Sequence, residues 1–475
     1  MKKYKELLGN VGLLTLSNFG SKLLSFLLVP LYTSVLTTEE YGNYDFVNVT
    51  ISLLIPILTL NISEAALRFL LDSKKNKKDV CNISLRINLI SILIFMFLAI
   101  FNKIFGIINI LNNYFIYFIL LYIITVFYQY FQNVIRGLDK IKVLAISGII
   151  NSIFMLGLNI YFLLVLKLGL AGYFLANIIA NIIATIYLFL NANIRDNIRI
   201  FYKNNKELKN EMINYSKPLM LNSIGWWINN VSDRYIVTYL CGVAANGIYS
   251  VSYKIPSILS IIQTIFNQAW GISAIKEFDR KDEDNFFKNI YCSYNIIMII
   301  SCSILILLTK ILAKFLYSNE FYAAWEYMPF LMISIVFGAL SGLLGGIFSA
   351  VKDTKTLGIT TALGALLNII LNVILIKFVG VIGAAIATAF SIFVVWLIRI
   401  FKINKYIKLN LNLKKDMIAY IILIVQATIF LIIKNNLILY AVEIILFIAE
   451  VVLYNSQIKR TFCLIKEKLK NRRNT

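Results

Sequence analysis

Three basic side chains, Lys22, Arg234 and Lys254, stand inside long apolar stretches of this 475-residue chain, and one carboxylate, Asp233, stands beside the second of them. A charge at mid-bilayer depth costs at least about 2.5 to 3.5 kcal/mol on insertion scales, so it faces a cavity or a partner. Cations gathered on one cavity would attract an anion, and an arginine grips phosphate through a planar fork of donors. Adjacent helical positions point roughly 100° apart, so Asp233 and Arg234 need not pair with each other. Asp233 is a candidate to orient a neighbouring cation or to accept a coupling ion. The plainer alternative is that Arg234 and Lys254 reach out to the interface or form interhelical pairs.

Other charges read as local. Glu64 and Arg68 are spaced i, i+4 in ISEAALRFL, where an ion pair on one helix face is expected, and Glu64 is the second candidate for ion coupling. Glu39, Glu40 and Asp45 make the first outer loop acidic and read as a solvated rim. Trp226, Trp227 and Trp270 suit membrane-interface anchors, or stacking on sugar rings.

Several chemistries are excluded. The chain has no histidine, which removes His metal sites, His proton relays and Ser-His-Asp catalysis. Cys81, Cys241, Cys292, Cys302 and Cys463 show no paired spacing, so neither a disulfide framework nor a zinc site is indicated. No Walker-type loop appears. No cofactor or metal is expected.

The elements that carry these residues are membrane helices. Apolar residues make up 59% of the chain, more than a soluble domain holds. Fourteen stretches are long enough to span a bilayer, at 11–36, 43–67, 83–106, 114–136, 141–166, 170–192, 214–240, 246–272, 289–312, 324–350, 355–378, 380–401, 417–434 and 436–456. The first is too long for a signal-peptide core and is expected to remain as a helix. Alternating the loops places 37 of the 46 Lys and Arg on the side that holds both termini and 6 on the other, which puts both termini in the cytoplasm. The net charge of +22 therefore reads as contact with anionic lipid rather than with nucleic acid.

The chain also repeats itself. SNFG (17–20) and YGNY (41–44) align without a gap with NSIG (222–225) and NGIY (246–249), at an offset of 205 residues. Further on, GLDKIK (137–142) resembles VKDTKT (351–356). The expected fold is an all-α integral membrane protein of about fourteen helices, with two six-helix lobes in parallel repeat and two further helices. The boundaries read as a first lobe at 1–192, a basic cytoplasmic link with the start of helix 7 at 193–217, a second lobe at 218–401, two additional helices at 402–456 and a basic tail at 457–475. All five prolines, at 30, 56, 218, 256 and 329, fall within these spans, four of them in helices 1, 2, 7 and 8, which is a pattern expected of helices that bend. In transporters built this way the substrate site lies between the repeats.

With those blocks in view, the chain resembles the Wzx-type polysaccharide flippases of the MOP (MATE-like) superfamily. The resemblance rests on SNFGSKLLSFLLVPLYTSVLTTEEYGNYDF, ISEAALRF and VSDRYIVTYLCGVAANGIYSVSYKIPSIL, and spans roughly residues 7–400. It implies a multi-pass protein of the bacterial cytoplasmic membrane that moves undecaprenyl-pyrophosphate-linked oligosaccharide outward for O-antigen, lipopolysaccharide or capsule. It implies a cavity lined by helices 1, 2, 7 and 8. On that reading Lys22, Arg234 and Lys254 would hold the pyrophosphate, and Asn18, Ser25, Asn222 and Asn229 would meet sugars. Asp233 or Glu64 would take H⁺ or Na⁺, and partners would include membrane lipids and other polysaccharide-assembly proteins. A lipid II flippase or multidrug exporter of the same superfamily is the nearest alternative reading. A membrane glycan polymerase or ligase is a more distant one, because the outer loops are short.

Overall fold

The computed structural model describes residues 26–72, 75–191, 205–276, 285–351 and 353–473. Every regular element among them is helical. The chain opens with α1 (Val29–Val35), α2 (Thr38–Leu58) and α3 (Ile62–Leu70), followed by α4 (Lys77–Phe105), the short α5 (Asn109–Asn113), α6 (Phe115–Gly137), α7 (Ile141–Ile160) and α8 (Gly169–Asn191). Then come α9 (Lys206–Cys241), α10 (Val243–Ser252), α11 (Ser257–Lys276), α12 (Phe286–Leu316), a 3₁₀ segment (Asn319–Glu326), α13 (Met328–Ala350), α14 (Thr354–Val379), α15 (Ile382–Ile403), α16 (Leu413–Ile432) and α17 (Asn436–Arg473).

Ten of the described helices are long and apolar enough to cross a membrane, and α2 with α3 makes an eleventh if that bent pair is one span. The first expected span lies largely outside the described residues. The seventh and eighth, α9 and α10–α11, are helical but are not among those ten. Among the described residues, eleven of the fourteen expected places are thus filled by helices of that length and apolarity.

Polarity is inverted relative to a soluble protein, as a lipid solvent requires. On α4, Ile90, Leu93 and Phe97 are exposed while Asn82, Ser84, Asn88 and Ser91 are buried. On α14, Leu363, Leu366 and Ile370 are exposed while Thr360, Asn368 and Asn372 are buried. Hydrocarbon offers polar groups no partner, so they turn inward and bond to one another or to their own helix. Asn368 donates to Thr388 Oγ1 and to Ser391 Oγ at 3.2 Å each, joining α14 to α15.

The helices divide into two compact units. The first runs to Thr238 and includes Gly242–Gly247 and Tyr317–Glu320, and the second holds Tyr239–Cys241, Ile248–Leu316 and Phe321 onward. Most of α9 therefore packs with the first unit, where Leu208 and Met212 join a core of Ile62, Val80, Tyr130 and Val134. Of the basic link at 193–217, residues up to 204 lie outside the described set.

The prolines act differently from one another. α2 and α3 meet at 58° just after Pro56, where Leu60 and Asn61 take left-handed φ values of 52° and 54°. α10 and α11 are separated by a turn that ends at Pro256. Those two breaks fall in corresponding helices of the two repeats. By contrast α9 runs unbroken through Pro218. Pro30 and Pro329 occupy the first turn of their helices, where the missing N–H costs nothing, so Pro329 starts a span rather than interrupting one.

GLDKIK connects α6 to α7, and VKDTKT lies where α13 gives way to α14. Asp353 caps α14: its Oδ1 accepts from Thr356 N at 3.0 Å, and its Oδ2 accepts from the Tyr406 hydroxyl at 2.9 Å. The bonds from Thr356, more than that from Tyr406, hold its carboxyl below the usual range, against a smaller opposing effect of burial. A depressed folded-state pKa makes the stabilisation complete above the unfolded carboxyl's pKa, and lost as pH falls through the folded value. Asp353→Ala should cost about 1 kcal/mol as a lost cap, while Asp353→Asn should keep the cap and lose its pH dependence. Thermal unfolding in detergent across the acid range checks both.

Candidate substrate-binding site

Arg234 lies on α9 near its Cys241 end and is paired. Its Nη1 donates to Asp45 Oδ1 of α2 at 2.7 Å, and Asn246 Nδ2 of α10 donates to Asp45 Oδ2 at 3.3 Å. The acidic first loop is thus corrected in part. Thr37 and Glu40 form a capping box, so the helix starts at Thr38, and Asp45 sits two turns inside it at 7% exposure. The T-x-x-E spacing was the signal in the sequence that a helix starts here and that Asp45 belongs to it rather than to a loop. Asp233 is buried and points elsewhere, its Oδ1 accepting from Arg234 N at 2.9 Å.

A second tie between α2 and α9 lies one to two turns further along. Trp227 Nε1 donates to Ser52 Oγ at 3.0 Å and to Val49 O at 3.2 Å, and Thr50 and Tyr235 share a short hydroxyl bond. Trp227 therefore joins helices, and Trp270 does likewise in the other unit, buried and donating to Leu343 O at 2.8 Å. Trp270 is too deeply buried to serve as a lipid-facing anchor. Trp226 alone of the three is exposed.

The ends of α2 and α10 cross glycine on glycine. A Cβ on Gly42 would stand 2.1 Å from Val243 O, and one on Gly247 would stand 1.9 Å from Thr38 O. Both the two glycines and the two residues they seat against are separated by the repeat offset of 205, so the contact maps onto itself. Beside it, Thr38 Oγ1 donates to Glu320 Oε2 at 2.8 Å.

Glu64 and Arg68 do not form the expected i, i+4 ion pair. Glu64 Oε1 receives Asn133 Nδ2 at 3.5 Å, at the wall of a cavity of about 250 Å³ beside the α2–α3 break. Asn61, Asn88, Gln129, Gln132 and Arg136 also line it, and Asn88 Oδ1 is buried there without a partner. Amides beside one acid and one guanidinium offer paired donors and acceptors, which suits hydroxyl-rich ligands.

The remaining expected contacts are scattered. Asn222 is exposed on α9, and Asn229 donates to Gly225 O of its own helix at 2.9 Å. Lys254 lies in the α10–α11 turn and belongs to the second unit. Asn18, Lys22 and Ser25 lie outside the described residues. One buried cation was missed from the sequence because it stands two residues from the end of its expected span. Arg399 on α15 directs its donors to Ser341, Leu357, Thr360 and Thr361, so it clamps α13, α14 and α15 together.

The fold is shared with solved transporters. It is similar to a structure described as the lipid II flippase MurJ in an inward closed conformation, with a TM-score of 0.67 at 16% identity, covering 95% of this chain and 99% of that one. It is also similar to an inward-facing multidrug resistance MATE family transporter of the MOP superfamily, with a TM-score of 0.65 at 12% identity, covering 80% and 93%. The molecule is a multi-pass membrane protein with a MOP-superfamily fold.

Residues 7–271 match the family described as polysaccharide biosynthesis protein, and the chain belongs to that family. Residues 218–374 also match the MatE family. Among curated proteins it is 25% identical over 194 residues to a probable low-salt glycan biosynthesis flippase, Agl15, of Haloferax volcanii, covering 38% of this chain and 39% of that protein. An uncharacterized membrane protein of Methanocaldococcus jannaschii is 24% identical over 231 residues, covering 46% and 44%. The alignments thus span less than half the length of either relative.

Proposed function

We propose that the chain is a flippase for a lipid-linked oligosaccharide, carried on undecaprenyl pyrophosphate and moved from the inner to the outer leaflet of a bacterial cytoplasmic membrane by alternating access. Its products would feed O-antigen, capsule or a similar glycan. The observation that carries this reading is that, among the described residues, the two helix breaks at Leu60–Asn61 and Tyr253–Pro256 and the Arg234–Asp45 pair all fall in α2–α3, α9 and α10–α11. Those are opening helices of the two repeats. Family membership and the relative described as a glycan flippase support the reading. A transporter rather than an enzyme is also what the family relatives suggest.

A flippase must offer the hydrated, charged head of its substrate a substitute for water while the prenyl tail stays in lipid. Lys22 and Lys254 would contact pyrophosphate. Arg234 would reach it only by leaving Asp45, so substrate arrival and the Arg234–Asp45 pair compete. The amides at the Glu64 cavity, with Asn18, Ser25, Asn222 and Asn229, would meet sugar hydroxyls, and Glu64 or Asp233 would take H⁺ or Na⁺. A multidrug exporter is the second reading, favoured by the match of residues 218–374 to the MatE family.

The test is complementation of a flippase-deficient strain that makes the matching glycan, with Lys22→Ala and Lys254→Ala compared with wild type at equal membrane abundance. Each substitution is expected to lower surface glycan by at least about tenfold, the equivalent of one charge-assisted hydrogen bond, with lipid-linked oligosaccharide accumulating inside. Full activity in both variants would remove the cationic site. Drug efflux without complementation by the wild type would favour the exporter.

A further inference from the structure

The spanning part of α17, Asn436–Asn455, carries two carboxyls on the side that faces protein. Leu439, Glu443, Glu450 and Tyr454 are its buried residues, at successive spacings of 4, 7 and 4, which is one face of a helix. That face packs on α12 and α16. Glu443 and Glu450 are both 0% exposed, and neither makes an ion pair among the described residues. Both oxygens of Glu450 and Oε1 of Glu443 lack hydrogen-bond partners.

What joins the two acids is a short polar chain across the three helices. Gln426 Nε2 of α16 donates to Glu443 Oε2 at 3.1 Å, and Ser303 of α12 donates to Gln426 Oε1 at 2.9 Å. Ser303 also lies beside Glu450. The hydroxyl has one proton to give, and Gln426 receives it.

Among the described residues, the neighbouring cations are engaged elsewhere. On α12, Cys302 borders Glu450, and Lys310 is taken up over the rings of Trp325 and Phe430 at 4.5 and 5.2 Å. On α16, Lys415 lies over the Tyr454 ring and donates to Gln457 Oε1 at 2.8 Å, and Asp416 accepts from the Tyr454 hydroxyl at 2.9 Å. Tyr291 and Cys292 of α12 and Tyr420 of α16 border Asp416 at the same end, and Lys288 of α12 lies near Cys292.

We propose that Glu443 and Glu450 form an exchangeable proton-binding site within the two helices that lie outside the repeat. An isolated buried carboxylate at this depth is too costly to persist without a bound cation. The acids stand two turns apart on their helix, about 10 Å in rise, which is too far for a single compact metal shell. A proton needs only one oxygen. Binding converts a carboxylate to a carboxylic acid and releases it again, with no redox partner. The site goes beyond the proposed function and stands without it.

Dicyclohexylcarbodiimide, which modifies protonated carboxyls in apolar surroundings, is the probe, applied to the full-length protein in nanodiscs and read by peptide mass spectrometry. Modification of Glu443 or Glu450 is expected, diminishing as pH rises and indifferent to Na⁺, and infrared titration should show a carboxylic-acid band that is lost in Glu443→Gln with Glu450→Gln. Protection by Na⁺ at constant pH would overturn the proton assignment in favour of a sodium site. Absence of modification at every pH, in wild-type protein that unfolds cooperatively, would make the pair a closed structural feature and overturn exchange. Because the wild-type arm needs no variant to fold, the result stands even where a glutamine variant is unstable. Glycan export plays no part in either readout.

Discussion

Asp45→Asn and Arg234→Gln should each lower the thermal stability of the detergent-solubilised protein, by roughly 3 kcal/mol for the loss of one member of a largely buried ion pair. The side chains are only 10% and 20% exposed, so solvent does little to screen the partner left behind. The effects should not be equal. Asn at 45 keeps one oxygen, enough for one of the two donors, and carries no charge, whereas Gln at 234 removes the cation that faces a buried carboxylate. The double variant should be less damaged than the sum of the two, with a coupling of about 1 kcal/mol or more, since nothing charged then remains unpaired. Strict additivity would mean that the pair contributes nothing and that Arg234 stands there for substrate alone. Transport adds a second readout. If Arg234 alternates between Asp45 and a pyrophosphate, Arg234→Lys should keep part of the stability and lose most of the export, because a lysine cannot form the planar fork.

Gly42→Val and Gly247→Val should be the most damaging single changes in the first unit. Each new side chain would start inside van der Waals contact with a backbone carbonyl, at 2.1 and 1.9 Å, and backbone cannot swing aside as a flexible side chain can. Overpacking of a helix crossing costs typically 1 to 3 kcal/mol, and two clashes against main chain belong at or above the upper end. Gly358 on α14 provides the contrast, because a Cβ there meets nothing within 4 Å. Gly358→Ala should be neutral or stabilising by up to about 1 kcal/mol, as expected for removing a glycine from a helix interior. Membrane abundance and unfolding temperature, measured side by side for the three variants, check the ranking. Equal tolerance at all three positions would mean that α2 and α10 do not cross on these glycines in the membrane.

The two results bear on one another. Gly42, Asp45 and Asn246 lie within the first two turns of α2 and α10, so the glycine crossing brings the helices close enough for Asn246 to reach Asp45. A bulky residue at Gly42 should therefore weaken the ion pair as well, and its cost should overlap with that of Arg234→Gln rather than add to it.

Much of the architecture was legible in the residue order alone. Length and apolarity sufficed for most spans, because hydrocarbon imposes one solution on the backbone and one minimum length on the helix. The repeat was legible too. Gly42 and Gly247 aligned in YGNY and NGIY because the same close crossing demands the same missing Cβ in both copies. Helix caps were written in the sequence as well, at Thr37 with Glu40 and at Asp353, since a cap is a contact between near neighbours in the chain.

Which charge meets which was decided only by tertiary structure. Asp45 and Arg234 are 189 residues apart, and no local spacing relates them. Glu64 and Arg68 had the ideal spacing for a pair, yet Glu64 takes its partner from another helix, Asn133 of α6. Arg399 looked like an ordinary cation at the end of a span, and becomes a clamp because three helices place oxygens around it. Glu443 and Glu450 drew no reading from the sequence. Their significance depends on Ser303 and Gln426 arriving from two other helices, which periodicity along a single helix cannot encode. Sequence determines which side of a helix is polar because solvent selects each residue separately, and the fold determines the partner because a partner is chosen by position in space.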